Sequence, residues 1–127
     1  DVSAPANAAI ENTVIMPAGT YAVAISGDYA YVGGWDYGLQ IVDISTPGSE
    51  FIAHSVDSYG EAYRLALSGG YAYFINYNME IYDIDPPLDA FKLTNVWITG
   101  RAFNADFDGD YAFIAAGAGG LRVLRLW

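Results

Sequence analysis

The sequence predicts an all-β fold, a β-propeller of four-stranded antiparallel blades, and three observations carry that reading. First, a turn-and-strand motif occurs three times. Ser26-Gly27-Asp28-Tyr29-Ala30-Tyr31-Val32 returns as Ser68-Gly69-Gly70-Tyr71-Ala72-Tyr73-Phe74 and again as Asp108-Gly109-Asp110-Tyr111-Ala112-Phe113-Ile114. Second, each copy is followed by another apolar stretch: Gly38 to Ser45, Met79 to Asp85, and Gly120 to Leu126. Third, the segment before each turn alternates, as in Tyr21-Ala22-Val23-Ala24-Ile25, with large residues on one face and Ala on the other. A repeat of about 40–45 residues built only of strands is the pattern of propeller blades.

The chain divides accordingly. Residues 1–18 read as an outer closing strand, because Asp1-Val2-Ser3-Ala4-Pro5 matches Asp43-Ile44-Ser45-Thr46-Pro47 and Thr13 to Met16 falls where the fourth strand falls in the next copy. Residues 19–58 hold a complete blade. Its strands are Tyr21–Ile25, Asp28–Val32, Leu39–Ile44 and Glu50–Val56. Gly27-Asp28 forms the first turn, where Gly accepts positive φ without a Cβ clash. Thr46-Pro47-Gly48 interrupts the ladder, since Pro has no N–H to donate.

Residues 59–99 repeat this plan, with Pro86-Pro87 before the outer strand at 91–98. Residues 100–127 supply three strands only: 103–107, 111–115 and 121–126. The expectation is therefore three four-stranded blades, with the N-terminal strand at 12–17 completing a last blade in this chain or a neighbouring copy. Full ladders leave fewer open edges to aggregate.

These residues resemble the LVIVD repeat family. The strongest segments are Ser26 to Val32 and Gly38 to Pro47, and the resemblance covers nearly the whole chain. The second copy departs at Gly70 and Asn78, and the third has Arg125 where the others have Asp43 and Asp83. The resemblance implies a propeller fold and a cell-surface setting. It carries no catalytic motif to transfer, so it speaks to fold rather than to function.

Composition narrows the functional classes. Fifteen acidic residues against five basic give a formal charge of −10, a poor surface for phosphate backbones, so no nucleic acid partner is expected. Apolar residues make up 54% and there are eleven Tyr, which argues against disorder. No apolar run approaches the ~18–20 residues of a membrane span. The absence of Cys excludes disulfides and thiolate chemistry. The first residues lack the layout of a signal peptide. An acidic composition rich in Tyr and Gly, with a single Lys, leans towards an extracellular or cell-surface protein.

Few residues suggest chemistry. Asp106-Phe107-Asp108-Gly109-Asp110 invites a calcium reading, but its spacing departs from a calcium-binding loop and its equivalents are plain hairpins. No metal and no cofactor are expected. His54, the only His, lies in an outer strand with no local partner pattern and reads as a surface or inter-blade residue. Asp43 and Asp83 recur once per blade and read as acceptors for turn N–H groups.

Two sets of candidate ligand-binding residues remain. The loops at one end of the propeller carry Trp35, Asp36, Tyr37, Tyr59, Glu61, Asn76, Tyr77 and Arg101. Aromatic rings beside acids and amides suit sugar or protein recognition, although Tyr and Trp also pack blades. The first strands, nearest the axis, place Arg64, Asn104 and Asp106 where they can line a channel or its mouth.

The sequence thus favours a non-catalytic surface or extracellular module for protein or ligand interaction or self-assembly. The alternative is an enzyme acting on a glycan or other polar ligand at the axial mouth, a reading that convergence of Arg64, Asp106 and Glu61 in one deep pocket would favour. Three blades are fewer than the four to eight that usually surround an axis. A head-to-tail homodimer of six blades is the favoured assembly, ahead of a segment of a larger propeller and of an open fibre.

Overall fold

The computed structural model describes residues 6, 8–58 and 60–126. Among them the chain forms β1 (Thr20–Ser26), β2 (Tyr29–Gly34), β3 (Leu39–Asp43), β4 (Phe51–Val56), β5 (Arg64–Ser68), β6 (Tyr71–Ile75), β7 (Met79–Asp83), β8 (Phe91–Val96), β9 (Asn104–Asp108), β10 (Tyr111–Ala115) and β11 (Leu121–Arg125). These make three antiparallel sheets: β1-β2-β3-β4, β5-β6-β7-β8 and β9-β10-β11. The first strands β1, β5 and β9 lie beside one another, so the sheets fan out from a shared inner side.

Local sequence accounts for each element. The two-residue turns place Gly27, Gly69 and Gly109 at φ of +57°, +58° and +55°, a conformation that costs a residue with a Cβ. Asp43 accepts the Ser45 backbone N–H at 2.9 Å and its hydroxyl at 2.6 Å, and Asp83 accepts the Asp85 N–H at 3.1 Å. Both Asp side chains thus hold the turn after the third strand, and the Ser45 hydroxyl keeps the Asp43 carboxyl below the usual range. The strands β3–β4 and β7–β8 share an irregular step at the same place, between Ile41 and Val42 and between Ile81 and Tyr82. The repeat therefore extends to backbone irregularities.

The core lies between sheets. Tyr31, Leu39 and Ile41 of the first sheet pack on Ala72, Phe74, Tyr82 and Ile84 of the second. Tyr73, Met79 and Ile81 of the second pack on Ala112 and Ile114 of the third, with Tyr73 and Phe107 rings 4.4 Å apart. The middle strands are buried on both faces, which is why YAYV and YAYF read as unbroken apolar runs. His54 Nε2 lies 3.0 Å from the Ala90 carbonyl, joining the first sheet to the second as an inter-sheet residue.

The N-terminal segment requires a correction. Within the chain, the third sheet has three strands rather than four, and residues 8–17 form no ladder. They cannot reach β11 because they lie two sheets away, where Val14 and Met16 pack on Ala30, Val32 and Val42 of the first sheet. The Asn12 amide donates to Glu50, and this bond is the main reason the Glu50 carboxyl is held low. The match of Asp1 to Pro5 with the turn from Asp43 to Pro47 falls outside the described residues.

The placement of this segment still follows the repeat. Counting back seven residues from the equivalent positions Tyr21, Tyr63 and Phe103, at or just before the start of the first strands, reaches Val14, Val56 and Val96. Val56 and Val96 end the fourth strands and pack on the face of the following sheet. Val14 does the same on the first sheet. The N-terminal segment thus sits in a fourth-strand position with no third strand beside it.

Candidate functional site

The loops at one end of the sheets bring several predicted residues together, but not all in the predicted role. The β2–β3 loop turns at Asp36, whose φ is +59°, and Trp35 is fixed by its N–H donating to the Gly19 carbonyl at 2.8 Å. Trp35 then stands 52% exposed. Its neighbour Tyr37 turns inward and is buried, with its hydroxyl 2.9 Å from Thr20 Oγ1 and its carbonyl accepting from Gln40. Tyr37 therefore packs within the sheet, while Trp35 faces outward.

In the β6–β7 loop, Asn76 is buried and its Oδ1 accepts the Asn78 N–H at 2.7 Å, which holds the loop shape. Tyr77 is left outside and exposed. Tyr59 falls outside the described residues.

Two open cavities result. One, of about 460 Å³, lies between the first two sheets and gathers Trp35, Asp36, Glu61, Asn76 and Tyr77 with Asn78, Asn95 and Trp97. The other, of about 380 Å³, lies at the inner strands and is lined by Tyr21, Tyr63, Arg64, Arg101 and Phe103. Arg101 is already engaged there. Its guanidinium carbon stands 4.3 Å from the Tyr77 ring centroid, 5.4 Å from Phe103 and 5.9 Å from Tyr63. Such contacts contribute about 0.5–1 kcal/mol each at exposed sites. Tyr21 extends the aromatic row, 5.8 Å from Tyr63 and 6.4 Å from Trp35.

Arg64, Asp106 and Glu61 do not line one cavity. Glu61 lines the first cavity and Arg64 the second. Asp106 is on neither, and its carboxylate accepts the N–H of Phe107. Asn104 is exposed on β9. Among the described residues, no group of three or more His, Asp or Glu gathers in metal-binding geometry.

Sequence reasoning missed a buried polar cluster beneath the first cavity. Glu80 is 4% exposed, accepts hydroxyl bonds from Ser58 at 2.5 Å and Tyr82 at 2.6 Å, and pairs with Lys92 at 2.9 Å. Burial, and secondarily the bond to Glu80, push the Tyr82 hydroxyl pKa upward. A signal existed: the second residue of the third strand is Gln40, Glu80 or Arg122 in the three repeats, polar within apolar strands. In the first repeat it is equally satisfied, since Ser55 donates to Gln40 at 2.6 Å. The position is therefore a structural one.

Asn95 and Trp97 were missed because they belong to the end of β8 and the segment after it, not to the loops that carried the prediction. Asn95 Oδ1 is buried with no hydrogen-bond donor among the described residues.

Fold and repeat geometry together define a β-propeller-like repeat protein. The LVIVD repeat model matches residues 19–58, 59–84 and 99–124, and the chain belongs to the LVIVD repeat family. No curated protein matches the chain. Among solved structures it is similar to the computationally designed Ika8 protein, at 16% identity and a TM-score of 0.66. That likeness covers 84% of this chain and 33% of the designed one, so the chain spans about a third of its length. At this identity the likeness shows the fold.

Proposed function

We propose that this chain is a non-catalytic assembly module, in which a second copy joins head to tail and the two close a six-bladed propeller. One observation supports it above all: the two outer faces carry the apolar side chains that the inner faces bury. Leu39 and Met79 are 0% exposed between sheets, whereas Leu121, their equivalent in β11, is 68% exposed. Val123 and Phe113, equivalents of Ile41 and Tyr31, are exposed beside it.

At the other end, Ile25 is 66% exposed, while its equivalents Leu67 and Phe107 pack on the sheet before them. Scattered apolar residues on a surface are ordinary, but a contiguous face with core composition marks an interface. The faces also match: Phe113 of one copy would meet Ile25 of the next as Tyr73 meets Phe107.

The strand edges match as well. Val56 pairs with Leu39 and Val96 with Met79. By the same register Val14 of one copy would pair with Leu121 of the other, completing the third sheet. A two-fold axis along the channel then repeats the contact twice and closes the ring.

Native mass spectrometry of the 127-residue chain tests this. The expected species has twice the 13.7 kDa chain mass. A stable single-chain species with intact β-sheet signal, or a series of masses with no preferred size, overturns closure by two copies.

A further inference from the structure

We infer that the cavity between the first two sheets is a binding site for an organic cation, an alkylated ammonium or a guanidinium group. This goes beyond assembly, because every residue lining it comes from one chain.

Two indole rings stand open on the cavity wall, Trp35 with Tyr21 at one side of it. Trp97 is 79% exposed and Trp35 52%, both on its wall. The negative face of an indole ring attracts cations more strongly than Tyr or Phe does. The molecule already uses this attraction next door, where Arg101 lies over Tyr77. Tyr77 lines the open cavity and carries Arg101 on its ring, so the aromatic wall continues from an occupied cation position to an open one.

The charged groups left open in the cavity have one sign. Among the described residues, the carboxylates of Asp36 and Glu61 have no hydrogen bond or ion pair. Glu80 is not part of this demand, being satisfied by Lys92, Ser58 and Tyr82.

The chain cannot readily supply the missing cation, having five basic residues against fifteen acidic. A ligand that is positive, apolar at its rim and able to lie on an indole ring fits these walls. A neutral sugar would also stack there and could donate hydroxyls to both carboxylates, yet it would leave their charges unpaired. The overall charge of −10 further raises the local concentration of cations.

The test is a titration of ¹⁵N-labelled protein, following the indole N–H signals of Trp35 and Trp97. The probes are tetramethylammonium chloride, arginine amide, sodium chloride and a neutral glucose oligosaccharide. An organic cation should shift both signals saturably, with Kd on the order of 1 mM, the range expected of a small ligand in an open site. A stronger response to tetramethylammonium identifies an alkylated ammonium ligand, and one to arginine amide identifies a guanidinium.

The double variant Asp36→Asn, Glu61→Gln should weaken binding at least tenfold, and Trp97→Ala likewise. Asp108→Asn, an acidic change elsewhere, should not. All the altered side chains are unbonded within the described residues, and Asn tolerates the left-handed backbone at position 36. Non-saturating shifts equal to those from sodium chloride overturn the inference. So does undiminished binding by the double variant, or a saturable response to the oligosaccharide alone. The same titration on a single-chain Leu121→Glu variant separates failure of this site from failure of assembly.

Discussion

Replacing Gly38 by Ala is expected to lower the melting midpoint by roughly 10 °C, from a loss of about 3 kcal/mol at ~3 °C per kcal/mol. Two costs combine. Gly38 has φ of +69°, and a Cβ in that conformation costs ~1–2 kcal/mol. A Cβ there would also stand 2.1 Å from the Val56 carbonyl oxygen and 2.5 Å from the Ser58 nitrogen. These are backbone atoms that cannot rotate aside, so the β3–β4 pairing must shift, at a typical overpacking cost of ~1–3 kcal/mol.

Gly27→Ala supplies the comparison. Its φ is +57°, but nothing lies within 4 Å of the added Cβ. It should lose only about 1 kcal/mol, the strain alone. Thermal melts followed by circular dichroism compare the two. Equal shifts would contradict the packing described around Gly38.

Leu121→Glu should convert the assembly to single chains while leaving each chain folded. Leu121 is 68% exposed within one chain, so the change disturbs little there. In the assembly the same side chain would occupy the place of Leu39, which is fully buried. Burying a Leu contributes ~1.5–3 kcal/mol, and a carboxylate in its place opposes burial. Closure by two copies uses the contact twice. A loss of about 2 kcal/mol at each joint corresponds to roughly a thousandfold weaker dimer. Sedimentation equilibrium against the parent chain measures it. Ile25→Asp, on the opposite face, should have the same effect.

The fold was legible because the repeat states it three times. Turn glycines, the alternation of β1 and the double-sided apolar runs of β2 and β6 each report a backbone requirement that no single residue can disguise. The Asp43 and Asp83 turns could be read for the same reason.

The candidate site was legible only in outline. Trp35 and Tyr37 are two residues apart in one loop, yet one points out and the other packs against Thr20. That choice depends on the left-handed turn at Asp36, which the residue type permits but does not require. Asn95 and Trp97 reach the cavity only because β8 pairs with β7 and runs along its wall. The ion pair of Glu80 with Lys92 likewise appears only when the strands are in register.

The N-terminal segment shows the same limit. Its repeat phase could be counted from the sequence, but its seat on the first sheet required coordinates. A cavity of about 380 Å³ remains between it and Ala30, Val32 and Val42. Ladder bonds to another β11 would hold the segment where side chains alone now do.

The measurement that tests head-to-tail closure most directly is a disulfide trap, made simple by the absence of native Cys. In the double variant Val14→Cys, Leu121→Cys, the two positions would become cross-strand partners between copies under this closure, within the ~4.4–6.8 Å Cα separation that a disulfide spans. Oxidation at low concentration should yield a species of twice the chain mass with no free thiol, because both joints of the ring are bridged. A single-chain species that retains its thiols while remaining folded, under conditions that oxidise a model dithiol, would contradict the account.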